Sequence, residues 1–231
     1  MVIKMKLSKS TYNIFLQCKR KYYYNLVGFE RKIDERTQEI MDYGIDFHKL
    51  LNNYNKNIIK QENNEKVLNN TKFKELLKSH QKFEQEVLLK NNWKPIATEQ
   101  LYENEFIKGF VDVIYSNDEN YLIIDYKTVL NINKSFDKYK TELLFYGYLF
   151  SEVKGIDIIK IKSGIEMFKQ NSSDFNYFLM EINKEELDKI KEDIKNTYDF
   201  IITHFKEEDY DKSYVGCDYC EFKDICLKNI R

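Results

Sequence analysis

Two apolar runs of the chain carry charge where charge is costly. In Gly109-Phe110-Val111-Asp112-Val113-Ile114-Tyr115 a single carboxylate stands in a segment apolar on both faces, an unfavourable place for an ion unless something pairs with it. The run Leu122-Ile123-Ile124-Asp125-Tyr126-Lys127-Thr128 repeats the anomaly, and strand alternation points Asp125 and Lys127 to the same side. Two carboxylates beside a lysine suit phosphodiester chemistry with a divalent metal: hard oxygens hold Mg2+ or Mn2+, and the ammonium positions the attacking water. A structural ion pair is the plainer meaning of the same residues.

His48, in Gly44-Ile45-Asp46-Phe47-His48, lies on a helical segment. A lone helical histidine is more often a packing or surface residue than a ligand, and it gains meaning only in company with carboxylates. Glu99 precedes Asp112 at a distance that can place it across a strand pair, whereas Glu103 and Glu105 fall nearer the turn.

The third constellation is Cys217-x2-Cys220-x5-Cys226. Two thiolates three apart in a turn can grip one metal centre while a third closes from the following segment, which leaves one place open. Cys18, from the other end of the chain, would fill it and staple the two ends together. Zinc and a 4Fe-4S cluster both accept four thiolates, and spacing does not choose between them. Around Cys18 stand Lys19, Arg20 and Lys21 with Tyr22, Tyr23 and Tyr24. Such a basic-aromatic group either grips a single strand by phosphate contact and base stacking, or is a helix with core tyrosines and solvated charges.

The elements that must position these residues follow from periodicity. A helix is expected over 8–26 and another over 37–51, then an asparagine- and lysine-rich surface insertion over 52–72 and a helix over 72–90, with Pro95 marking the change that follows. Strands are expected at 96–103, 106–115 and 121–127, with a turn at 116–120. A helix at 136–153 ends at Gly155, strands follow near 157–168 and 175–182, and Asn183 with Glu186 opens a helix striped by Leu187, Ile190, Ile194, Tyr198, Ile201, Ile202 and Phe205. The tail 207–231 is polar and cysteine-bearing. This is an α/β chain of one domain: a helical region over 1–95, a small mixed sheet flanked by helices over 96–182, and a final helix with a cysteine clasp over 183–231.

With 231 residues, 42% hydrophobic and 32% charged, the chain has enough apolar material for a core and is not disordered. A net charge of -1 provides no whole-molecule attraction for a polyanion, so a nucleic acid must be held by local patches. No apolar run reaches the length of a membrane span and the first residues lack a secretory stretch, so a soluble cytosolic protein is expected, with no membrane association.

Taken in order, Leu7-Ser8-Lys9-Ser10 through Phe15-x2-Cys18-x-Arg20-x-Tyr22-Tyr23, Gly44-x3-His48, Gly109-x2-Asp112, Ile124-Asp125-Tyr126-Lys127-Thr128 and the terminal cysteines resemble the RecB-like nucleases of the PD-(D/E)XK superfamily that carry an iron-sulfur cluster. The resemblance covers nearly the whole chain. It implies a metal-dependent DNA nuclease, an exonuclease on single-stranded ends, with partners in recombination, repair or CRISPR adaptation. It further implies that Asp112 and Asp125 are metal-binding carboxylates, His48 an additional ligand and Lys127 the catalytic lysine. Tyr146 and Arg20 would contact substrate, and Cys18, Cys217, Cys220 and Cys226 would hold a structural 4Fe-4S cluster. The chain departs from the family pattern at Glu142, where a Gln-x3-Tyr motif would place glutamine, at Lys19, where a proline is frequent, and at Val111, where the superfamily name has its proline. A carboxylate at Glu142 would add negative charge near the DNA path, so either the fine positioning differs or Glu142 is recruited to the metal. The alternative is a catalytically weak or inactive nuclease-fold protein that binds DNA or serves assembly, with a structural metal such as zinc at its cysteines. A zinc-dependent hydrolase acting at the cysteines is disfavoured because four thiolates make a closed site.

Overall fold

The computed structural model describes residues 5–132, 136–214 and 216–228. Its elements, in chain order, are β1 (Leu7–Ser8), α1 (Lys9–Gln17), α2 (Lys19–Leu26), α3 (Glu35–Lys60), α4 (Glu65–Leu68), α5 (Lys74–Phe83), β2 (Lys94–Glu103), β3 (Ile107–Ser116), β4 (Tyr121–Val129), α6 (Asp137–Lys154), β5 (Ile161–Lys169), β6 (Phe175–Glu181), α7 (Lys184–Thr203) and α8 (Lys223–Lys228). The six strands make one mixed sheet in the order β1-β3-β4-β5-β6, with β2 on β3.

Strand β3 is the hinge of this arrangement. Its whole length pairs antiparallel with β2, its start pairs parallel with β1 at Leu7↔Ile107 and Ser8↔Lys108, and its end pairs antiparallel with β4 from Val113↔Ile124 to Ser116↔Tyr121. Past Val113 and Ile124 the two central strands diverge, and that fork is where Asp112 and Asp125 lie. β4 then runs parallel to β5 in unbroken register from Tyr121↔Ile161 to Val129↔Lys169.

The strands divide their side chains between two cores, by plain alternation on β4 and with a change of phase between Val111 and Val113 on β3. Val111, Ile114 and Ile123 pack with Phe145, Leu149, Ile190 and Ile194 of α6 and α7, together with Tyr12 and Phe15 of α1. Val113, Tyr115, Leu122 and Ile124 pack with Phe47 and Leu51 of α3 and Leu76, Leu77 and Phe83 of α5. Each fully buried large side chain contributes about 1.5–3 kcal/mol, so both helical layers are fastened to the sheet by the same two strands that carry the charges.

The sheet, α6 with its Gly155 cap in the left-handed region (φ 64°), and the Asn183–Glu186 capping box of α7 follow the periodicity. Three expectations need correction. The helix over 8–26 is two helices, because Cys18 adopts an extended conformation (φ -161°, ψ 112°) and caps α2 with its sulfur, which accepts from the Lys21 amide. The supposed insertion over 52–72 is in good part the end of α3, with Tyr54, Asn55 and Val67 buried. Its polar composition conceals an internal bond, from the fully buried Asn55 amide to the Tyr126 hydroxyl at 3.0 Å. The helix over 72–90 ends at Phe83, after which Glu84–Leu88 widen into a π-turn. Pro95 lies inside β2, which pairs only with β3 and can spare an amide.

Candidate active site and cysteine clasp

Because β3 and β4 part beyond Ile124, the Tyr126 amide has no ladder partner on β3, and the Asp112 carboxylate takes its place: Tyr126 N–H donates to Asp112 Oδ2 at 2.7 Å. The Asp112 carbonyl accepts from Thr98 of β2 at 2.8 Å. Glu99, the next residue of β2, lies between the pairs Thr98↔Val113 and Gln100↔Val111 and so stands opposite Asp112. Its φ is +47°, a left-handed conformation that costs a non-glycine residue on the order of 1–3 kcal/mol and tends to mark functional positions. His48 reaches the same point from α3. Gly44, one turn earlier, lets α3 close on β4, since a Cβ there would stand 2.7 Å from the Thr128 hydroxyl, and His48 Nδ1 comes to 3.6 Å from Asp112 Oδ2.

One ligand atom from each of His48, Glu99 and Asp112 lies within 4.8 Å of the other two, a geometry that can hold a metal ion. Two carboxylates and an imidazole suit Mg2+ or Mn2+. The electrostatics show what a cation would relieve: burial and the Asp112 charge push the Glu99 carboxyl up. Burial pulls the His48 imidazole down, but Asp112 outweighs it and leaves the pKa raised. A groove of about 620 Å3, walled by Ile40, Met41 and Ile45, opens onto His48 and Glu99.

Asp125 points elsewhere. Its carboxylate, almost wholly buried, is 2.7 Å from Lys127 Nζ and 3.5 Å from Lys9 Nζ, and Glu142 Oε2 accepts from both lysines at 2.9 Å. Burial pushes Asp125 up, but Lys127 and Lys9 outweigh it and hold the carboxyl below its ordinary value. Burial likewise pulls Lys127 down while Asp125 pulls it further up, so its ammonium is held charged. The result is a neutral quartet of two ammoniums and two carboxylates at the mouth of the strand fork.

The sequence therefore finds His48, Asp112, Asp125 and Lys127 as neighbours, and Glu99 by its register. It gives no signal for Lys9 beyond its place in Leu7-Ser8-Lys9-Ser10. Tyr146 is buried beneath this group, with its ring 5.4 Å from Lys9 Nζ. Gly109 leaves room for that ring, since a Cβ there would come to 3.1 Å from it. Arg20 lies at the other end of α1 and is occupied by the Tyr210 carbonyl (2.8 Å) and Glu207. Its neighbours Tyr22 and Tyr24 are core residues, and Lys21 pairs with Glu221 at 2.8 Å. Tyr22 and Tyr24 are thus packed, as in the second of the two readings, but Arg20 and Lys21 are ion-paired rather than solvated.

The four cysteines are free thiols that line one cavity of about 280 Å3, closed by Tyr24 and Phe222. Cys18 Sγ accepts from the amides of Lys21 (3.5 Å) and Ser213 (3.4 Å), as a thiolate ligand would. Gly216, at φ 77°, turns the chain into Cys217–Tyr219, and α8 brings Cys226. Among the described residues, no three cysteine sulfurs stand within 4.8 Å of one another. A tetrahedral zinc with bonds of about 2.3 Å needs its sulfurs roughly 4 Å apart. Four thiols around one cavity are a donor set that a metal centre could use.

A fold of helices on both faces of a mixed sheet, forked at two acidic strands, defines the class. The profile of the PD-(D/E)XK nuclease superfamily matches residues 6–227, and the chain belongs to that superfamily. No curated protein matches the sequence. Among solved structures, a candidate exonuclease from Eubacterium rectale is 13% identical, with 99% of this chain and 89% of that chain covered and a TM-score of 0.56. A phage-related exonuclease from Haemophilus somnus is 14% identical over 81% of this chain and 94% of its own, with a TM-score of 0.36. The Eubacterium rectale structure has the same fold; at that identity the likeness extends no further.

Proposed function

We propose that the protein is a metal-dependent DNA exonuclease that hydrolyses phosphodiester bonds at single-stranded ends and carries a structural 4Fe-4S cluster in its cysteine clasp. The observation that carries this reading is the convergence of His48, Glu99 and Asp112 at the fork of a superfamily sheet whose other branch presents Asp125 and Lys127. These acidic residues and His48 would hold Mg2+ or Mn2+, which when bound polarises the scissile phosphate and the attacking water. Lys127 orients the water with an ammonium that Asp125 keeps charged. Asp112, fixed by the Tyr126 amide, sets the ligand distance to His48 and Glu99. The groove supports a single strand as substrate, because Met41 and Ile45, each about half exposed beside the metal ligands, offer an apolar wall to unstacked bases.

The cavity that the four thiols share, with the Lys21 and Ser213 amides donating to Cys18 Sγ, supports a thiolate-held metal centre, which we take to be the cluster. Among the described residues no helix is long and apolar enough to cross a membrane. The test is cleavage of end-labelled linear and covalently closed circular single-stranded DNA by anaerobically purified protein with Mn2+ or Mg2+, beside Lys127→Ala. Cleavage of the linear strand, lost in the variant and absent on the circle, is the expected result. No cleavage by folded, metal-loaded protein overturns it in favour of a DNA-binding scaffold.

A further inference from the structure

We infer that Lys9 and Glu142 act as a charge-compensated pair that positions Lys127, with Glu142 holding the Lys127 ammonium and Lys9 cancelling the charge that Glu142 brings. The inference rests on the nuclease reading and extends it to two residues outside the metal triad.

Glu142 Oε2 lies 2.9 Å from Lys127 Nζ and 2.9 Å from Lys9 Nζ, so a single carboxylate oxygen is shared by two ammoniums. It is spent on cations, and among the described residues the group arranged to take a metal comprises His48, Glu99 and Asp112 without it. Lys9 in turn lies 3.5 Å from Asp125, which closes the ring. The lysine and both carboxylates are largely buried, at 16%, 5% and 15% side-chain exposure for Lys9, Asp125 and Glu142, so charge imbalance inside the ring is poorly screened by water.

The local structure aims Lys9 at this point. Leu7 and Ser8 pair with the start of β3, Ser8 caps α1 through a reciprocal bond with Thr11, and Lys9 is the first helical residue, directed over the Tyr146 ring. Three separate elements, α1, β4 and α6, therefore meet through the ring.

Removing one charge and removing both have opposite expectations. Without Glu142, two ammoniums converge on Asp125 alone and displace one another. Without Lys9, Glu142 is an uncompensated buried carboxylate that draws Lys127 away from Asp125. Without both, Lys127 keeps its 2.7 Å pair with Asp125, and the ring reduces to a neutral pair.

The experiment compares Lys9→Met, Glu142→Gln, the double variant and Lys9→Arg with wild type in the full chain, with Mn2+ and end-labelled single-stranded DNA. Each single variant is expected to lower kcat by roughly 10- to 100-fold while KM moves less than about threefold, and the double variant to recover to within about tenfold of wild type. Lys9→Arg keeps the charge and loses less than Lys9→Met; should Lys9→Met not fold, Lys9→Gln serves in its place. Losses that multiply in the double variant, or a change confined to KM, overturn the pair and make Lys9 an independent substrate contact. A second readout needs no activity: the rate of reductive methylation at Lys127, followed by mass spectrometry of folded protein. It should rise in Glu142→Gln and return towards wild type in the double variant; equal rates in all variants overturn the inference. Wild-type protein that cleaves no DNA sinks the nuclease reading, and the methylation rates then decide the pair alone.

Discussion

The two metal-ready regions of this molecule are built in opposite ways. The acidic site stands on the longest strands and helices, its carboxylates already occupied by amides and ammoniums, as in Tyr126 N–H to Asp112 and Lys127 to Asp125. The cysteine clasp is made of a helix break, a one-turn 3-10 segment and a six-residue helix, with Tyr219 between two of its cysteines 94% exposed. The first is pre-formed by folding, because hard charged groups in a sheet must be paired to be there at all. The second packs mainly through Phe222 on Tyr24, and under the proposed reading a bound metal centre would supply the rest of its rigidity. α1 joins them: its first residue is Lys9 and the residue after its last is Cys18, a rod of about 13 Å at the helical rise.

If that contrast holds, the largest effects come from the acidic site and fall on chemistry. Asp112→Asn and Lys127→Ala should each lower cleavage by about a thousandfold or more in single-turnover assays, with the far-ultraviolet circular dichroism unchanged. The clasp should answer the other way. Cys217→Ser should lose bound iron and about 10 °C or more of Tm, with cleavage per folded molecule nearly kept; unchanged iron and Tm would mean the staple does not exist. Glu99 should separate stability from function. Glu99→Gly relieves the positive φ and should raise Tm by roughly 2–4 °C, while the Mn2+ needed for half-maximal cleavage should rise about tenfold.

The last effect falls on stability alone and belongs to His80 and Glu166, a fully buried pair at 2.9 Å whose imidazole packs on the same Tyr126 ring as His48. Burial pushes the Glu166 carboxyl up from 4.5 to about 7, and the Glu166 charge, outweighing burial, leaves His80 raised. Between pH 4.5 and 7 the folded state therefore binds more protons at Glu166 than the unfolded chain, so stability should fall as pH rises through that window. His80 contributes with the same sign. Urea unfolding at pH 5 and pH 8 checks it, and Glu166→Gln should flatten the difference.

Much of the site was legible in the sequence because a charge inside an apolar strand is anomalous at sight: Asp112, Asp125 and Lys127 announce themselves, and strand alternation puts the last two together. Cys217, Cys220 and Cys226 announce themselves by spacing. Lys9 and Asn55 do not, since a lysine at a helix start and an asparagine in a polar tract look solvated until a partner from another element is known. For the same reason the sequence left open whether the tyrosines beside Cys18 grip a strand or pack, and burial of Tyr22 and Tyr24 is visible only in the fold.

What the sequence determined by itself is local and periodic: the strands, the caps of α6 and α7, and the residue types able to hold a hard cation or a soft one. What only the tertiary structure decided is which of those residues meet. The parting of β3 from β4 gives Asp112 the Tyr126 amide and turns Asp125 to the lysines, and the closure of α3 through Gly44 brings His48 to Glu99 and Asp112. A charge's partner is set by distance in space, on which electrostatic energy depends, and a sequence records only order along the chain.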